Sequence, residues 1–356
     1  MSSSICIESE ALRVDRALAQ KAIEILKKVS LYNSMLKAIN KDRYVLIPVL
    51  SSNEAAVILL KYGIEAKPEK HCFPKGKSIK GLNIKNILEK YLSKDILKLI
   101  PRSFEIIGDI ALIELNPEIA KQYGEIVAKA IMELHPHVKA VYARGSTHGV
   151  TRIRELIHLA GEKRTKTIHK EYGIRIVVDI AQAYFNPSLA TEHYIVSQNV
   201  YNGMTILDAF TGVGPFALHI ARKAQVYVIA CDINSYALKL LRESIHLNKL
   251  RGLIEILNTD SIELLRSDTL PKDSFDMVIL NLPHQALRMI CHAIKILKSR
   301  GIVHVYTIAR SSNEAIENLN KELTSCENVS ITIADIRRVL DYAPRKYIYR
   351  ISLVKL

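Results

Sequence analysis

An apolar run that ends in an acid and a glycine turn constrains the fold of this chain more than any other feature. In the stretch ILDAFTGVGPFALHIA, residues 206–221, the first apolar run ends at Asp208, glycines follow at 212 and 214, and a second apolar run begins. That order is typical of a strand, a tight turn and a helix. Such a turn lets a nucleotide-like ligand approach the backbone closely. The stretch therefore predicts a ligand site between a strand and a helix.

The chain from about residue 192 onward alternates between strand and helix candidates. The predicted strands occupy 204–210, 226–233, 254–260, 275–283 and 301–308, and the predicted helices occupy 214–223, 235–248, 285–299 and 312–324. This order predicts an α/β fold with a doubly wound, Rossmann-like parallel sheet. The tail ends in an alternating strand, which we expect to be antiparallel, either at the sheet edge or inserted into the sheet.

Shifts in composition divide the chain into four segments. We expect a small α/β N-terminal domain at 1–70, a linker rich in Lys, Pro and Gly at 71–80, an α+β middle domain at 81–191, and the Rossmann-like domain at 192–356. The apolar spacing over 9–40 predicts a helix, and the two short apolar runs around Gly108 and Asp109 predict a hairpin.

The charge balance indicates a polyanionic partner. Fifty Lys and Arg residues against 36 Asp and Glu residues give a net charge of +14. RNA or DNA is the usual partner of such a chain, and a solvated basic surface is the alternative. The five cysteines are scattered without a CxxC or Cys/His cluster, so we predict neither a disulfide framework nor a metal site. Without a signal peptide or a long apolar run, we expect a cytoplasmic protein that does not enter a membrane.

Three acids at successive strand ends predict the chemistry of the ligand. Asp208, Asp232 and Asp260 follow the first three predicted strands of the sheet. A pyrophosphate would be disfavoured by Asp208 and by Pro215, which lacks a backbone N–H, so NAD is the weaker candidate. S-adenosylmethionine carries an ammonium and a sulfonium group and suits these acids. The alternative is that the acids cap helices.

The fourth strand end carries NLPH, residues 281–284. It resembles the (N/D/S)PP(Y/F/W) motif of methyltransferases that act on planar nitrogens, with Leu282 in place of the first proline and His284 in the aromatic position. In that motif the Asn side chain and a backbone carbonyl accept hydrogen bonds from the target nitrogen. A strand end followed by an ordinary turn is the alternative.

Longer motifs make the resemblance specific. RIRELIHLAGEKRTKTIHKEYGIRIVVDIAQAYFNPSLATE, followed by DAFTGVGPF, NLPH, VHVYTI and YAPRKY, resembles the archaeal and eukaryotic tRNA (guanine-N1)-methyltransferases that modify position 37. The resemblance covers essentially the whole chain. It implies that Glu192 is the general base, that Arg152 stabilises the guanine O6, and that the base pocket is formed by Tyr184, Asn281 and Pro283. It also implies a methyl-donor site formed by Asp208, Phe210, Gly212, Gly214, Pro215, Asp232, Ile233, Asp260 and Asn281.

The implied chemistry agrees with these residue types. Guanine N1 holds a proton at neutral pH, and its removal places negative charge partly on O6. A carboxylate base and a nearby arginine meet those needs. Taken without the family, Glu192 is equally well a helix N-terminal acid and Arg152 a surface ion-pair residue.

The RNA partner follows from charge and from the resemblance. Residues 150–175 contain seven Lys or Arg against three Glu, and we expect tRNA contacts from Arg154, Lys163, Arg164 and Lys166. Position 37 is stacked in a loop, so the base must be flipped out. The resemblance implies that the N-terminal domain contacts the outer corner of the tRNA and that the rest binds the anticodon stem-loop. We expect a monomer.

Two alternatives stay open at this stage. A bifunctional enzyme would also methylate C7 of a wyosine precursor at position 37 of tRNA-Phe. A non-catalytic tRNA-binding protein would keep the fold and lose the chemistry.

Overall fold

A computed structural model describes residues 6–29, 31–33, 36–74, 83–148, 153–326 and 330–356 of the chain. The chain divides into two compact units, Met1–Ile87 and Leu88–Leu356. Each unit has its own hydrophobic core. In the described part of the chain, no helix combines the length and the apolar character that a membrane crossing requires.

The first unit is a four-stranded antiparallel sheet with two helices. Its elements are β1 (Cys6–Asp15), α1 (Ala19–Lys28), β2 (Ile39–Asn40), β3 (Tyr44–Pro48), α2 (Ser52–Lys61) and β4 (Ala66–Pro74), and the strand order is β2-β3-β1-β4. Both helices contribute to one apolar cluster with the sheet, which includes Leu12, Leu26, Ile47 and Leu59.

The predicted helix over 9–40 is wrong, because its first part is the central strand β1. Leu12 and Val14 are fully buried while Arg13 and Asp15 are exposed, so the alternation of a strand is present in β1. It lasts only four residues, and α1 follows after three more with Ala19, Ala22 and Leu26 buried at helical spacing. The helical spacing of α1 therefore dominated the longer window. Strand β4 also continues to Pro74, so it includes the first residues of the predicted linker 71–80, whose remainder lies outside the described residues.

The first part of the second unit is an α+β arrangement. Short helices α3 (Ile84–Leu88) and α4 (Lys94–Leu99) precede β5 (Glu105–Ile107), β6 (Ile110–Glu114), α5 (Pro117–Leu134), β7 (Ala140–His148) and β8 (Ile153–Gly161). The strand order is β5-β6-β7-β8. The hairpin predicted at Gly108 is present, and β6 and β7 pair in parallel through the α5 crossover. A separate hairpin follows, formed by β9 (Lys166–Glu171) and β10 (Ile174–Asp179).

The rest of the second unit is the predicted doubly wound sheet. Its strands are β11 (Thr205–Asp208), β12 (Tyr227–Asp232), β13 (Leu253–Asn258), β14 (Phe275–Leu280), β15 (Leu297–Ala309), β16 (Ile331–Ala343) and β17 (Lys346–Lys355), in the order β13-β12-β11-β14-β15-β17-β16. Strands β11 to β15 pair in parallel. The last strand is inserted antiparallel between β15 and β16, one of the two placements expected for the tail. The helices are α6 (Ala190–Gln198), α7 (Pro215–Lys223), α8 (Ser235–Leu247), α9 (Ser261–Arg266), α10 (Ile290–Ile296) and α11 (Ser312–Leu323).

A disulfide joins Cys291 of α10 to Cys326 after α11, with 5.2 Å between the Cα atoms. The prediction that the scattered cysteines form no disulfide is therefore wrong, because the packing of α10 beside α11 brings together two residues that are 35 positions apart in sequence.

We expect the double substitution Cys291→Ser and Cys326→Ser to lower the free energy of unfolding by about 2–4 kcal/mol, because the bond removes the entropy of an open 35-residue loop from the unfolded chain. Urea denaturation of the oxidised wild type and the double variant measures the difference. A loss below about 1 kcal/mol would contradict this expectation.

Candidate active site

The doubly wound sheet has its switch point between β11 and β14. From β11 the chain moves outward to β12 and β13 and then returns to β14 on the other side of β11. Ligands of such sheets bind outside the carboxyl ends of the strands at this point. Asp208 ends β11, and Asn281 directly follows β14, so the two sequence-predicted residues lie on either side of the crevice.

The glycine turn after β11 borders this crevice. Its two glycines have different roles, one in hydrogen bonding and one in helix packing. Gly212 has φ of 55° and Gly214 has φ of 79°, conformations that favour glycine. The Gly212 N–H donates to Asp232 Oδ2 at 2.7 Å, which joins the turn to the end of β12. A side chain on Gly214 would collide with Leu241 of α8, so this glycine permits close packing of α7 on α8. Pro215 occupies the first turn of α7, where its missing N–H costs nothing.

Asp208 lies beneath the turn and is fully buried. The Thr211 hydroxyl donates to its Oδ2 at 2.7 Å, while its Oδ1 has no hydrogen-bond partner among the described residues. Burial raises the pKa of Asp208 to about 7, and the nearby Asp232 also raises it. Asp208 is therefore a buried carboxyl group with one oxygen that has no hydrogen-bond partner among the described residues.

This pKa predicts a pH dependence of stability. Between the ordinary pKa of 3.8 and about 7, folded Asp208 keeps a proton that the unfolded chain has lost. The free energy of unfolding should therefore fall as the pH rises through this window, by about 4 kcal/mol in total. Urea denaturation of wild type and Asp208→Asn between pH 4 and 8 isolates this contribution as the difference between the two curves. Parallel curves would show that Asp208 does not titrate in this window.

The other two predicted acids lie at the ends of β12 and β13. Asp232 accepts from the N–H of Gly212 and, at 2.9 Å, from the N–H of Asn234. Burial raises the pKa of Asp232, and these two hydrogen bonds oppose the rise. Asp260 follows β13 and accepts from the Ile262 N–H at 2.8 Å, so it caps α9 as the alternative interpretation proposed.

A cavity of about 460 Å³ opens at these strand ends, within the usual range for small-molecule sites. Nine of the sequence-predicted site residues line it: Tyr184, Phe210, Gly212, Pro215, Asp232, Ile233, Asp260, Asn281 and Pro283. Its described lining contains two aspartates and no lysine or arginine. Glu192, Asp208 and Gly214 are not among the lining residues.

Glu192 lies in the first turn of α6 and is buried, with 3% of its surface exposed. Tyr306 donates its hydroxyl to Glu192 Oε1 at 2.8 Å, and Arg350 Nη1 donates to the same oxygen at 2.7 Å. Burial and the charge of Glu192 raise the pKa of Tyr306 well above its usual value, so the phenol keeps its proton and donates it. Glu192 is therefore the acceptor at the centre of a buried network.

The register of β15 and β17 places this network directly behind the cavity wall. Tyr306 pairs with Arg350, and two residues along the strands Ile308 pairs with Ile348. Residues two apart on a strand share a face, about 7 Å from each other. The isoleucine pair lines the cavity, and the Tyr306–Arg350 pair holds Glu192 in the next layer.

Tyr306 and Arg350 were not predicted from the sequence. Arg152, the predicted arginine partner of the reaction, lies outside the described residues. The signal for Arg350 is a single charge inside the apolar run of β17, whose residues 348–353 are all buried. The second terminal nitrogen of Arg350, Nη2, donates to Asp335 Oδ2 at 2.7 Å. Both terminal nitrogens of the Arg350 guanidinium therefore have partners.

The four predicted tRNA-binding residues lie in very different surroundings. The side chain of Arg154 lies outside the described residues. Arg164 pairs with Asp109 at 2.5 Å and with Glu162 at 2.6 Å, and these acids raise its pKa. Lys166 pairs with Glu243 at 2.6 Å. Lys163 is exposed and forms no ion pair within the described part of the chain, so it is the residue of this set best placed to meet a phosphate.

Comparisons with known proteins agree with this architecture. A family model described as the TRM5/TYW2 methyltransferase domain matches residues 167–332, and one described as the TYW2 N-terminal domain matches residues 84–165. The tRNA (guanine(37)-N(1))-methyltransferase Trm5b of Pyrococcus abyssi is 41% identical over 257 residues, 71% of this chain and 75% of that protein. The tRNA 4-demethylwyosine(37)-methyltransferase Taw21 of Saccharolobus solfataricus is 31% identical over 210 residues, 58% of this chain and 78% of that protein.

Solved structures match over nearly the full length. The crystal structure of Trm5b from Pyrococcus abyssi has a TM-score of 0.67 at 33% identity and covers 98% of this chain and 99% of its own. The structure of a complex of aTrm5 and tRNALeu has a TM-score of 0.66 at 31% identity and covers 97% of this chain and 99% of its own. The resemblance seen in the sequence motifs is confirmed, and this chain belongs to the TRM5/TYW2 methyltransferase family.

Proposed function

We propose that this chain transfers the methyl group of S-adenosylmethionine to N1 of guanine 37 in tRNA. The observation that carries the proposal is the shared cavity, which joins the strand-end acids Asp232 and Asp260 to Asn281, Pro283 and Tyr184. The residues proposed to bind the methyl donor and those proposed to bind the guanine therefore line the same cavity, as direct methyl transfer between the two requires.

The lining of the cavity fits this donor better than a dinucleotide. A pyrophosphate calls for positive charge or free backbone N–H groups. Here Pro215 has no N–H, the Gly212 N–H is already bonded to Asp232, and the described lining contains no lysine or arginine. Asp232 and Asp260, the two acids that do line the cavity, disfavour a pyrophosphate and are compatible with a cationic ligand. Asp232, at the end of the second strand, would accept hydrogen bonds from ribose hydroxyls. Asp260, after the third strand, would lie near the adenine amine.

The protein's own residues supply the remaining chemistry. Bound in this cavity, S-adenosylmethionine supplies an electrophilic methyl carbon on a sulfonium. Asn281 and the backbone beside Pro283 orient the edge of the guanine, and Tyr184 borders the base. Glu192 accepts the N1 proton, so that the N1 lone pair is free to attack. Glu192 is bonded to the Tyr306–Arg350 pair, which lies behind the Ile308–Ile348 pair that lines the cavity. Guanine entry must therefore be accompanied by a movement of the Glu192 side chain toward the cavity.

Transfer of radioactive methyl from S-adenosylmethionine to a tRNA transcript tests the proposal. We expect label in a transcript with G37 and none in the matched transcript with A37. Label in both transcripts, or in neither, would overturn it.

A second activity at the same position stays a candidate because of the similarity to Taw21 and to the TYW2 N-terminal domain. The enzyme would then also methylate C7 of a wyosine precursor. In the NLPH turn, His284 Nε2 lies 3.1 Å from the Tyr342 hydroxyl, and both residues line the cavity, so this pair sets the width available to a larger ring. Assay of tRNA-Phe carrying 4-demethylwyosine at position 37 decides: methylation of that tRNA supports the dual activity, and its absence contradicts it.

The proposal includes tRNA as the partner of the whole chain. We propose that the N-terminal domain predicted at 1–70 contacts the outer corner and that residues 81–356 bind the anticodon stem-loop, with the target base flipped out of its stack. The high positive charge of the chain supports such a partner. A cytoplasmic monomer remains our expectation. A non-catalytic tRNA-binding protein is the weaker reading, since the described donor and base residues share an open cavity.

A further inference from the structure

Three buried side chains from distant parts of the sequence meet beside the proposed active site. Glu171 ends β9, His193 lies on α6 and His219 lies on α7, with 2%, 1% and 4% of their surfaces exposed. Glu171 Oε2 lies 2.8 Å from His193 Nδ1 and 3.3 Å from His219 Nε2. The three ligand atoms lie within 4.8 Å of one another.

Hydrogen bonds among the described residues do not satisfy this cluster. His219 Nε2 is buried and lacks a hydrogen-bond partner there, because its approach to Glu171 is poorly aligned. Glu171 Oε1 also lacks one. Buried polar atoms without partners are rare and call for a specific explanation.

The carboxylate of Glu171 has imidazoles on both sides. His193 and His219 approach its Oε2. On the other side, His169 Nε2 lies 3.7 Å from Glu171 Oε1. The Gly108 N–H donates to His169 Nδ1, so Nδ1 is the acceptor and the ring proton is on Nε2. Nε2 is the nitrogen that faces the Glu171 carboxylate.

We propose that Glu171, His193 and His219 bind a divalent transition-metal ion of the zinc type. Two imidazole nitrogens and one carboxylate oxygen are a ligand set that zinc accepts, and His169 would orient the ligating carboxylate as outer residues do in known sites. The ion would give His219 Nε2, which is buried without a hydrogen-bond partner among the described residues, a ligand bond.

The place of the site in the fold defines its role. His193 directly follows Glu192, and His219 lies on the helix that begins at the glycine turn. The ion would therefore tie together β9, the helix of the proposed base and the helix of the donor turn. The three ligand side chains are almost fully buried, so we assign the ion a positioning role. Three protein ligands leave the fourth position of a tetrahedral zinc ion open, and His193 also lines the cavity of the candidate active site.

The test uses the untagged full-length chain after treatment with a chelator. We expect Zn²⁺ to bind with one ion per chain, to raise the melting temperature, and to be replaceable by Co²⁺ with the visible absorption of nitrogen and oxygen ligation. In His219→Gln, zinc affinity should fall by more than about 100-fold, and added zinc should no longer change the melting temperature. The matched control is His304→Gln, a buried histidine on β15 that is bonded to Ser352 and should leave zinc binding unchanged.

Equal zinc affinity in wild type and His219→Gln, or a wild type that binds neither Zn²⁺ nor Co²⁺, would overturn the proposal. The cluster would then be a buried carboxylate beside imidazoles, without a bound metal ion. If His219→Gln does not fold, the Co²⁺ absorption of the wild type decides on its own: ligand bands from imidazole support the site, and the spectrum of hydrated Co²⁺ contradicts it. None of these measurements depends on methyl transfer.

Discussion

Replacing Glu192 with glutamine is expected to reduce the rate of methyl transfer to G37 by about 10²–10⁴-fold, the range that general bases contribute. Glutamine keeps the shape of the side chain and an oxygen that accepts from Tyr306 and Arg350, so the fold should persist. What is lost is the ability to take the N1 proton. Single-turnover rates with saturating tRNA and donor measure the effect on chemistry.

The matched control for this variant is Asp335→Asn. Asp335 pairs with Arg350 from the side away from Glu192, and 52% of its side chain is exposed. An ion pair with an exposed partner contributes about 0–1 kcal/mol to the free energy of unfolding. Because the hydrogen bond from Arg350 to Glu192 stays in place, this variant should keep a methyl-transfer rate within about 5-fold of the wild type. A Glu192→Gln enzyme with wild-type rates would remove the assignment of Glu192 as the base.

Replacing Arg350 with methionine is expected to lower the free energy of unfolding by about 3–5 kcal/mol, because Glu192 would be left as a buried charge without its closest cation. Arg350 and Glu192 have side chains 5% and 3% exposed, and their atoms are 2.7 Å apart. Urea denaturation measures the loss, and methyl transfer should fall with it because the base loses its position.

Arg337 provides the comparison, since it approaches the same carboxylate. Its Nε lies 3.8 Å from Glu192 Oε2, and 42% of its side chain is exposed. Arg337→Gln should therefore cost no more than about 1 kcal/mol. In Arg350→Met combined with Glu192→Gln, part of the lost stability should return, because the uncompensated charge has been removed. Equal losses for Arg337→Gln and Arg350→Met would contradict the role given to burial.

Much of the doubly wound sheet was predictable because its signals are local. In β11 and β12 both faces are covered, so each is a short apolar run, and each ends in a polar residue at the same sheet edge. The predicted helices 235–248 and 312–324 agree with α8 and α11 to within one residue, since each begins at a capping Asn or Ser. Residues at strand ends converge whatever their distance in sequence, which is why the acids and NLPH were correctly placed at one edge.

The sequence by itself determined the fold class, the family motifs and nine of the residues that line the cavity, because period, turn chemistry and strand ends are properties of neighbouring residues. Only the tertiary structure decided which residues surround Glu192, that Cys291 meets Cys326, and that Glu171, His193 and His219 form a cluster. These contacts depend on strand register and helix packing. Arg350 reaches Glu192 across 158 positions because β17 is inserted beside β15, and no local pattern records that pairing.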